Sequence, residues 1–205
     1  MLMRWVAIGI ERLLLRSFSS VKYLNEIKVN EHKSTLLLMN HVSFHDGAIT
    51  QRFCRRILRK KFKVMVLEQQ MRTFKFLKYV GCFSINRKSR DVLDSISYAA
   101  ELLNDPHNAV VIFPQGELYS MHLNRIHFEN GLTHVLNKTT QPFQVIFAVF
   151  LIDYLDNVKP MARVYLHEYT GSHTHGDLQD NYNKFYNECK LKNRNLHRPP
   201  AWVTE

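Results

Sequence analysis

Three short apolar runs dominate this chain: Leu36-Leu37-Leu38-Met39, Ala109-Val110-Val111-Ile112-Phe113 and Phe143 to Leu151, each bounded by polar or turn-forming residues. A strand with one wet face alternates apolar and polar residues, and these runs do not. They are therefore expected as strands buried on both sides, in a sheet covered by helices on each face. None approaches the roughly 18 consecutive apolar residues of a membrane span. Between them lie helical patterns: Asp91 to Asn104 carries Val92, Ile96, Ala99, Ala100 and Leu103 on one side, and Gly131 to Asn137 follows suit. Met161 to His167 adds another strand and Asp177 to Lys190 a polar helix. Strands alternating with helices imply an α/β fold with a mostly parallel or mixed sheet flanked by helices.

Ligands of such sheets bind at the carboxyl ends of the strands. The first run, read as a strand over 34–39, ends in Asn40-His41-Val42-Ser43-Phe44-His45-Asp46-Gly47. A His and an Asp five positions apart across a strand-to-helix turn can meet, so that the carboxylate accepts from one ring nitrogen and leaves the other as a general base. The same residues also suit a plain turn, in which Asp46 or Ser43 caps the next helix and His41 is merely satisfied. Metal binding by His41, His45 and Asp46 ranks well below catalysis, because no further His or Glu stands at helical spacing; no metal is expected. The second run ends in Pro114-Gln115-Gly116-Glu117, a rigid turn where Gly116 lets a ligand approach the backbone.

With 205 residues and 45% apolar content, a single domain is expected: an amphipathic segment over 1–30, an α/β core over 31–170 and a polar segment over 171–205. Three cysteines without metal spacing suggest neither a disulfide framework nor a zinc knuckle. The net charge of +10 calls for an acidic partner. Near the start, Arg4, Arg12 and Arg16 interrupt an apolar run containing Trp5, which gives a basic amphipathic helix. Such a helix either lies in the headgroup plane of an anionic membrane or packs on its own domain. From Gln51 to Lys78, ten Lys or Arg face the single acid Glu68, with phenylalanines interleaved. This stretch reads as a helix to about Lys60, a strand from Phe62 to Leu67, and a helix from about Gln69 to Tyr79 ended by Gly81. Arg55, Arg56, Lys60 and Lys61, with Arg4, Trp5 and Arg12, are the expected contacts to a membrane surface or an acidic carrier. Gly81 to Arg87 reads as a strand delivering Arg87, whose planar fork suits a phosphate or carboxylate.

These blocks form a set. Asn-His-x-Ser-x-x-Asp-Gly at 40–47, Gly-x-x-x-Ile-Asn-Arg at 81–87, Phe-Pro-x-Gly at 113–116, and Phe128-Glu129-Asn130-Gly131 with Pro142 ahead of the last apolar run resemble the glycerolipid acyltransferases of the lysophosphatidic acid acyltransferase type. The resemblance spans about residues 35–150, in the family's order. It implies transfer of a fatty acyl group from a thioester, on coenzyme A or acyl carrier protein, to the hydroxyl of a lysolipid. His41 would be the base and Asp46 its orienting partner. Asn40, Ser43, Arg87, Phe113, Pro114, Gln115, Gly116 and Glu117 would line the acceptor site. No cofactor is implied beyond the thioester co-substrate, and a peripheral position on the cytoplasmic face of the cell membrane is expected. Backbone amides near Gly116, or at the start of the helix after His41, are the candidate oxyanion donors.

The chain departs from the family at one block, where the usual Glu-Gly-Thr-Arg is replaced by Gln115-Gly116-Glu117-Leu118. Losing that Arg and gaining an acid disfavours a doubly charged phosphate. His122, Arg125 and His127 are the candidate replacement cations, and a non-phosphate acceptor such as an amino-acid lipid or another alcohol is the narrower alternative. Two rivals stand outside catalysis: a non-catalytic lipid-binding protein, against which an intact His41 and Asp46 speak, and a nucleic-acid binder using the basic aromatic segment. Nucleic acid is not the expected partner.

Overall fold

The computed structural model describes residues 2–85 and 92–196. Along the chain run α1 (Leu2–Leu15), β1 (Ser20–Leu24), β2 (Ser34–Met39), α2 (Asp46–Phe53), β3 (Lys61–Leu67), α3 (Glu68–Thr73), β4 (Cys82–Ile85) and α4 (Val92–Leu103). Then come β5 (Asn108–Ile112), α5 (Gly131–Lys138), β6 (Phe143–Asp153), β7 (Met161–Tyr169) and α6 (His175–Asn195). The seven strands form one sheet in the order β1-β7-β6-β2-β5-β3-β4. Every pairing is parallel except β6 with β7. The fold is thus α/β with a mixed, mostly parallel sheet flanked by helices.

The unbroken apolar runs are explained by their two faces. Leu36 and Leu38 of β2 point into one core with Val110 and Ile112 of β5 and Val145, Phe147 and Val149 of β6. Leu37 and Met39 point into the other with Ala109, Val111, Ile146, Ala148 and Phe150. The first core is covered by α4, α5 and α6. On α4, Ile96, Ala99, Ala100 and Leu103 are buried, and on α6, Leu178, Tyr182, Phe185, Tyr186 and Cys189. Both sets follow the three-and-four spacing of one helix face. Thr174 caps α6, its hydroxyl accepting from the Asp177 amide. The second core is covered by α1 and the turn after it through Leu15 and Phe18, and by α2 through Ala48, Ile49 and Phe53.

Several boundaries differ from the sequence reading. The expected amphipathic segment over 1–30 is helical only to Leu15, and Ser20–Leu24 adds an edge strand parallel to β7. Ser-Val-Lys-Tyr-Leu is short and half-buried, and it becomes a strand only by pairing with residues 161–165, far away in sequence. The helix read to Lys60 instead widens after Phe53 into a π-helical turn, Cys54–Leu58, stopped by Arg59 in the left-handed conformation at φ 56°. The helix read from Gln69 to Tyr79 breaks at Phe74 into α3 and a 3₁₀ turn, Lys75–Tyr79. Gly81 is required where it stands: its φ is +98°, and a Cβ there would collide with the Phe62 carbonyl.

Candidate active site

The carboxyl end of β2 hands the chain to the turn 40–45, and α2 starts at Asp46. That turn folds back on itself. His41 Nδ1 lies 2.7 Å from Asp46 Oδ2, and the same oxygen accepts from the amides of Val42 at 2.8 Å and Ser43 at 3.0 Å. An ionised carboxylate only accepts, so the His41 proton sits on Nδ1 and Nε2 keeps its lone pair. Asp46 is fully buried, whereas the His41 side chain is 21% exposed. Burial raises the Asp46 carboxyl above its ordinary value, against the opposing pull of His41 and the two amides. Its other oxygen, Oδ1, is buried and has no hydrogen-bond partner among the described residues. All three donors therefore converge on one oxygen.

The imidazole is further fixed from above and behind. It stacks on the Phe113 ring, centroids 4.3 Å apart and planes 19° apart. Gln115, only 2% exposed, brackets the His41 backbone: its Oε1 accepts the His41 amide at 3.1 Å and its Nε2 donates to the His41 carbonyl at 3.2 Å. Gln115 thus does not face a substrate, contrary to its expected place in the acceptor site. Asn40 needs the same correction, because it is buried and its amide is bonded to the backbone of β6. Nδ2 donates to the Phe150 carbonyl at 2.9 Å and Oδ1 accepts the Phe150 amide at 2.7 Å. Ser43 Oγ is 3.0 Å from His45 Nδ1 and accepts the His45 amide, so it shapes the turn. Of the amides expected as oxyanion donors, that of Gly116 donates to the Phe113 carbonyl and that of Asp46, at the start of α2, to the Ser43 carbonyl.

His41, Phe113, Pro114, Gly116 and Glu117 do come together, in the wall of a cavity of about 620 Å³. The rest of its lining is mainly apolar and includes Phe62, Val64, Met65, Phe76 and Leu77. Phe44 and Phe74, both partly exposed, pair at 5.8 Å between ring centroids and also line it. Ile10 and Leu14 of α1 contribute to the same wall. Such a chamber suits a long hydrocarbon chain with one polar, reactive end.

The basic segment does not form one outward face. Arg55 is held by Glu11 of α1, Nη2 to Oε1 at 2.8 Å and Nε to Oε2 at 3.1 Å, which pins α1 to the π-helical turn. Lys60 is buried and donates to the carbonyls of Lys33 at 2.6 Å and Pro106 at 2.7 Å, joining two loops. Arg55 and Lys60 are therefore internal struts, not the surface contacts expected of them: Glu11 is buried with a charge that must be matched, and two loop carbonyls lacked donors. Arg12, Arg56 and Lys61 are exposed as expected, and Trp5 is 64% exposed. Arg125 pairs with Asp180 at 3.0 Å. Arg87 and the side chain of Arg4 lie outside the described residues. Among the described residues no three His, Cys, Asp or Glu are grouped as a metal site.

The site is thus a hydrogen-bonded His–Asp pair at the strand ends of a doubly covered α/β sheet, opening on an apolar cavity. Comparison with known proteins supplies its class. The family model for acyltransferases matches residues 20–149, and the chain belongs to that family. Among solved structures it is similar to the 1-acyl-sn-glycerophosphate (LPA) acyltransferase PlsC from Thermotoga maritima, at 14% identity and a TM-score of 0.56, over 97% of this chain and 82% of that one. At that identity the likeness speaks for the fold. A comparison with curated protein sequences finds no match.

Proposed function

We propose that the protein moves a fatty acyl group from an acyl thioester, carried by coenzyme A or acyl carrier protein, to the hydroxyl of a lysolipid at a membrane surface. The observation that carries this reading is the 2.7 Å His41–Asp46 bond in the wall of a largely apolar cavity of acyl-chain dimensions. His41 Nε2 takes the alcohol proton as the oxygen attacks the thioester carbonyl; the C–O bond forms, the C–S bond breaks, and the imidazolium returns its proton to the departing thiolate. A base so placed contributes about 10² to 10⁴ in rate. Asp46 steadies the positive charge that His41 gains on the way.

Membrane seating is supported by the outer face of α1. Its inner face, Ala7, Glu11 and Leu15, packs on the domain, while Trp5, Val6 and Leu13 remain exposed, as do Arg12 and Arg16. Beside its C-terminal end, where Lys159 Nζ donates to the Arg16 carbonyl, the β6–β7 turn presents Tyr154, Leu155 and Val158 to solvent. Exposed apolar groups flanked by cations suit an anionic headgroup layer, giving a peripheral enzyme on the cytoplasmic face. No helix among the described residues is long and apolar enough to cross a membrane. A second reading of the acceptor, a non-phosphate hydroxyl lipid, is favoured by Glu117, which lines the cavity where the family resemblance has Thr.

The test supplies purified protein with labelled acyl-coenzyme A or acyl carrier protein, anionic vesicles, and lysophosphatidic acid, an amine-bearing hydroxyl lipid or a neutral long-chain alcohol. We expect acyl transfer to at least one acceptor, abolished by His41→Ala with vesicle binding intact. An undiminished rate in that variant would reject the base assignment.

A further inference from the structure

We infer that Gln51 reads an oxygen on the acyl chain close to its reacting carbonyl, so that the preferred donor is a 3-hydroxyacyl thioester. This deepens the acyltransfer reading above and rests on it.

The cavity beside His41 is lined mainly by hydrocarbon. Gln70, Glu117 and Glu129 also line it, and all three are exposed to solvent. Gln51 is different: it lines the same cavity and is only 9% exposed. Among the described residues, no hydrogen bond reaches its side-chain amide. Nor are its polar atoms walled in by protein, as Asp46 Oδ1 is, and the room they meet is the cavity. The other two buried glutamines are both committed. Gln115 holds the His41 backbone, and Gln144 holds the Asn30 amide, the Lys28 carbonyl and Glu168. Buried side-chain amides are normally paired, and a polar group set in an apolar pocket is what orients and selects a ligand.

The helix fixes where that group acts. Asp46 opens α2, and Gly47, Ala48 and Gln51 follow on the face turned to the cavity. Five residues span about 7.5 Å of helix, and side chains lean back toward the helix N-terminus, so the Gln51 amide returns toward the dyad. The intervening wall is low: a Cβ added at Gly47 would meet nothing within 4 Å. Ile10 and Leu14 of α1 supply only hydrocarbon. A chain with its carbonyl at His41 Nε2, running along this face, passes Gln51 within its first few carbons. A plain alkyl chain there displaces the water that would serve the amide and returns no hydrogen bond. A hydroxyl both donates and accepts, so it satisfies either end of the amide.

The experiment supplies 3-hydroxymyristoyl and myristoyl donors, each on coenzyme A and on acyl carrier protein, with the same lysolipid vesicles. Both are repeated with Gln51→Met, which keeps the volume and removes the polar atoms. A buried amide left unpaired costs roughly 10- to 100-fold, so wild-type kcat/KM should favour the hydroxylated donor by about that factor. In Gln51→Met the preference should vanish, chiefly through better use of the plain donor. A second arm needs no turnover: calorimetric titration with 3-hydroxymyristate and myristate should show the same preference, lost in the variant. Equal use of the two donors by the wild type, a comparison independent of how the variant folds, would overturn the inference and leave acyl transfer standing. An undiminished preference in folded Gln51→Met would do the same. If the wild type consumes neither donor, the reaction assigned above falls and the titration decides on Gln51: a preference abolished by Gln51→Met upholds it, and equal affinity for the two acids overturns it.

Discussion

Replacing Asp46 by Asn separates two roles that a His–Asp pair usually combines. Three donors converge on Oδ2: His41 Nδ1, the Val42 amide and the Ser43 amide. The Asn oxygen is the atom able to receive all three, so it takes the Oδ2 place and the amide nitrogen takes that of Oδ1. His41 then keeps its Nδ1 proton, and the tautomer required of a base survives. What disappears is the negative charge facing the imidazolium. A hydrogen bond to a charged group is worth about 1.5–3 kcal/mol net, and at about 1.36 kcal/mol per tenfold the expected loss in kcat is roughly 10- to 150-fold. A flipped tautomer would instead remove about 10⁴-fold. Thiol release from acyl-coenzyme A in the presence of lysolipid vesicles measures it. A loss as deep as that of His41→Ala would refute the argument from three converging donors, and an unchanged kcat would refute any need for the charge. The same variant tests burial. Since the fold raises the Asp46 carboxyl above its unfolded value, ionisation destabilises the wild type as pH climbs from about 4 through the raised value. Asn never ionises, so the thermal midpoint of the variant should gain on that of the wild type as pH climbs from about 4 through the raised value, although its unpartnered amide nitrogen costs about 1–3 kcal/mol throughout.

Two further outcomes follow from groups outside the dyad. Glu11→Ala strips Arg55 of its buried partner; a broken buried pair costs about 3–5 kcal/mol, and because Arg55 is 23% exposed we expect a smaller loss, about 2 kcal/mol, read as a lower urea midpoint, with no change in midpoint refuting the strut. Burial pushes the thiols of Cys82 and Cys189 up to about 12 and that of Cys54 higher still. At pH 8 the thiolate fraction of each is then at most roughly 10⁻⁴, so intact-mass analysis should find no iodoacetamide adduct on the native protein and three after unfolding; rapid native labelling would contradict the packing.

Much of this was legible in the chain because it is local. The apolar runs declare strands buried on both faces, since they are too short for a helix buried all round and are bounded by polar and turn-forming residues. The His41–Asp46 contact spans five residues and one turn, so spacing alone made it an expectation. Where sequence reasoning failed, distance was the cause. Asn40 and Gln115 sit within the expected motifs, and their residue types suit substrate binding as well as structure. Their partners, Phe150 and the His41 backbone, lie 110 and 74 positions away. Arg55 and Lys60 likewise look like part of a basic surface until Glu11, Lys33 and Pro106 arrive beside them.

The sequence by itself determined the doubly covered sheet and the reactive turn at the exit of β2, and offered the pairing of His41 with Asp46 beside a plain capped turn, because each follows from residues within one strand or turn of one another. Only the tertiary structure decided the strand order, the antiparallel β6–β7 pair, the edge strand β1, and which polar residues face the cavity and which brace the backbone. A buried polar side chain is committed to whatever donor or acceptor the fold brings within about 3 Å, and that partner is set by packing, not by spacing along the chain.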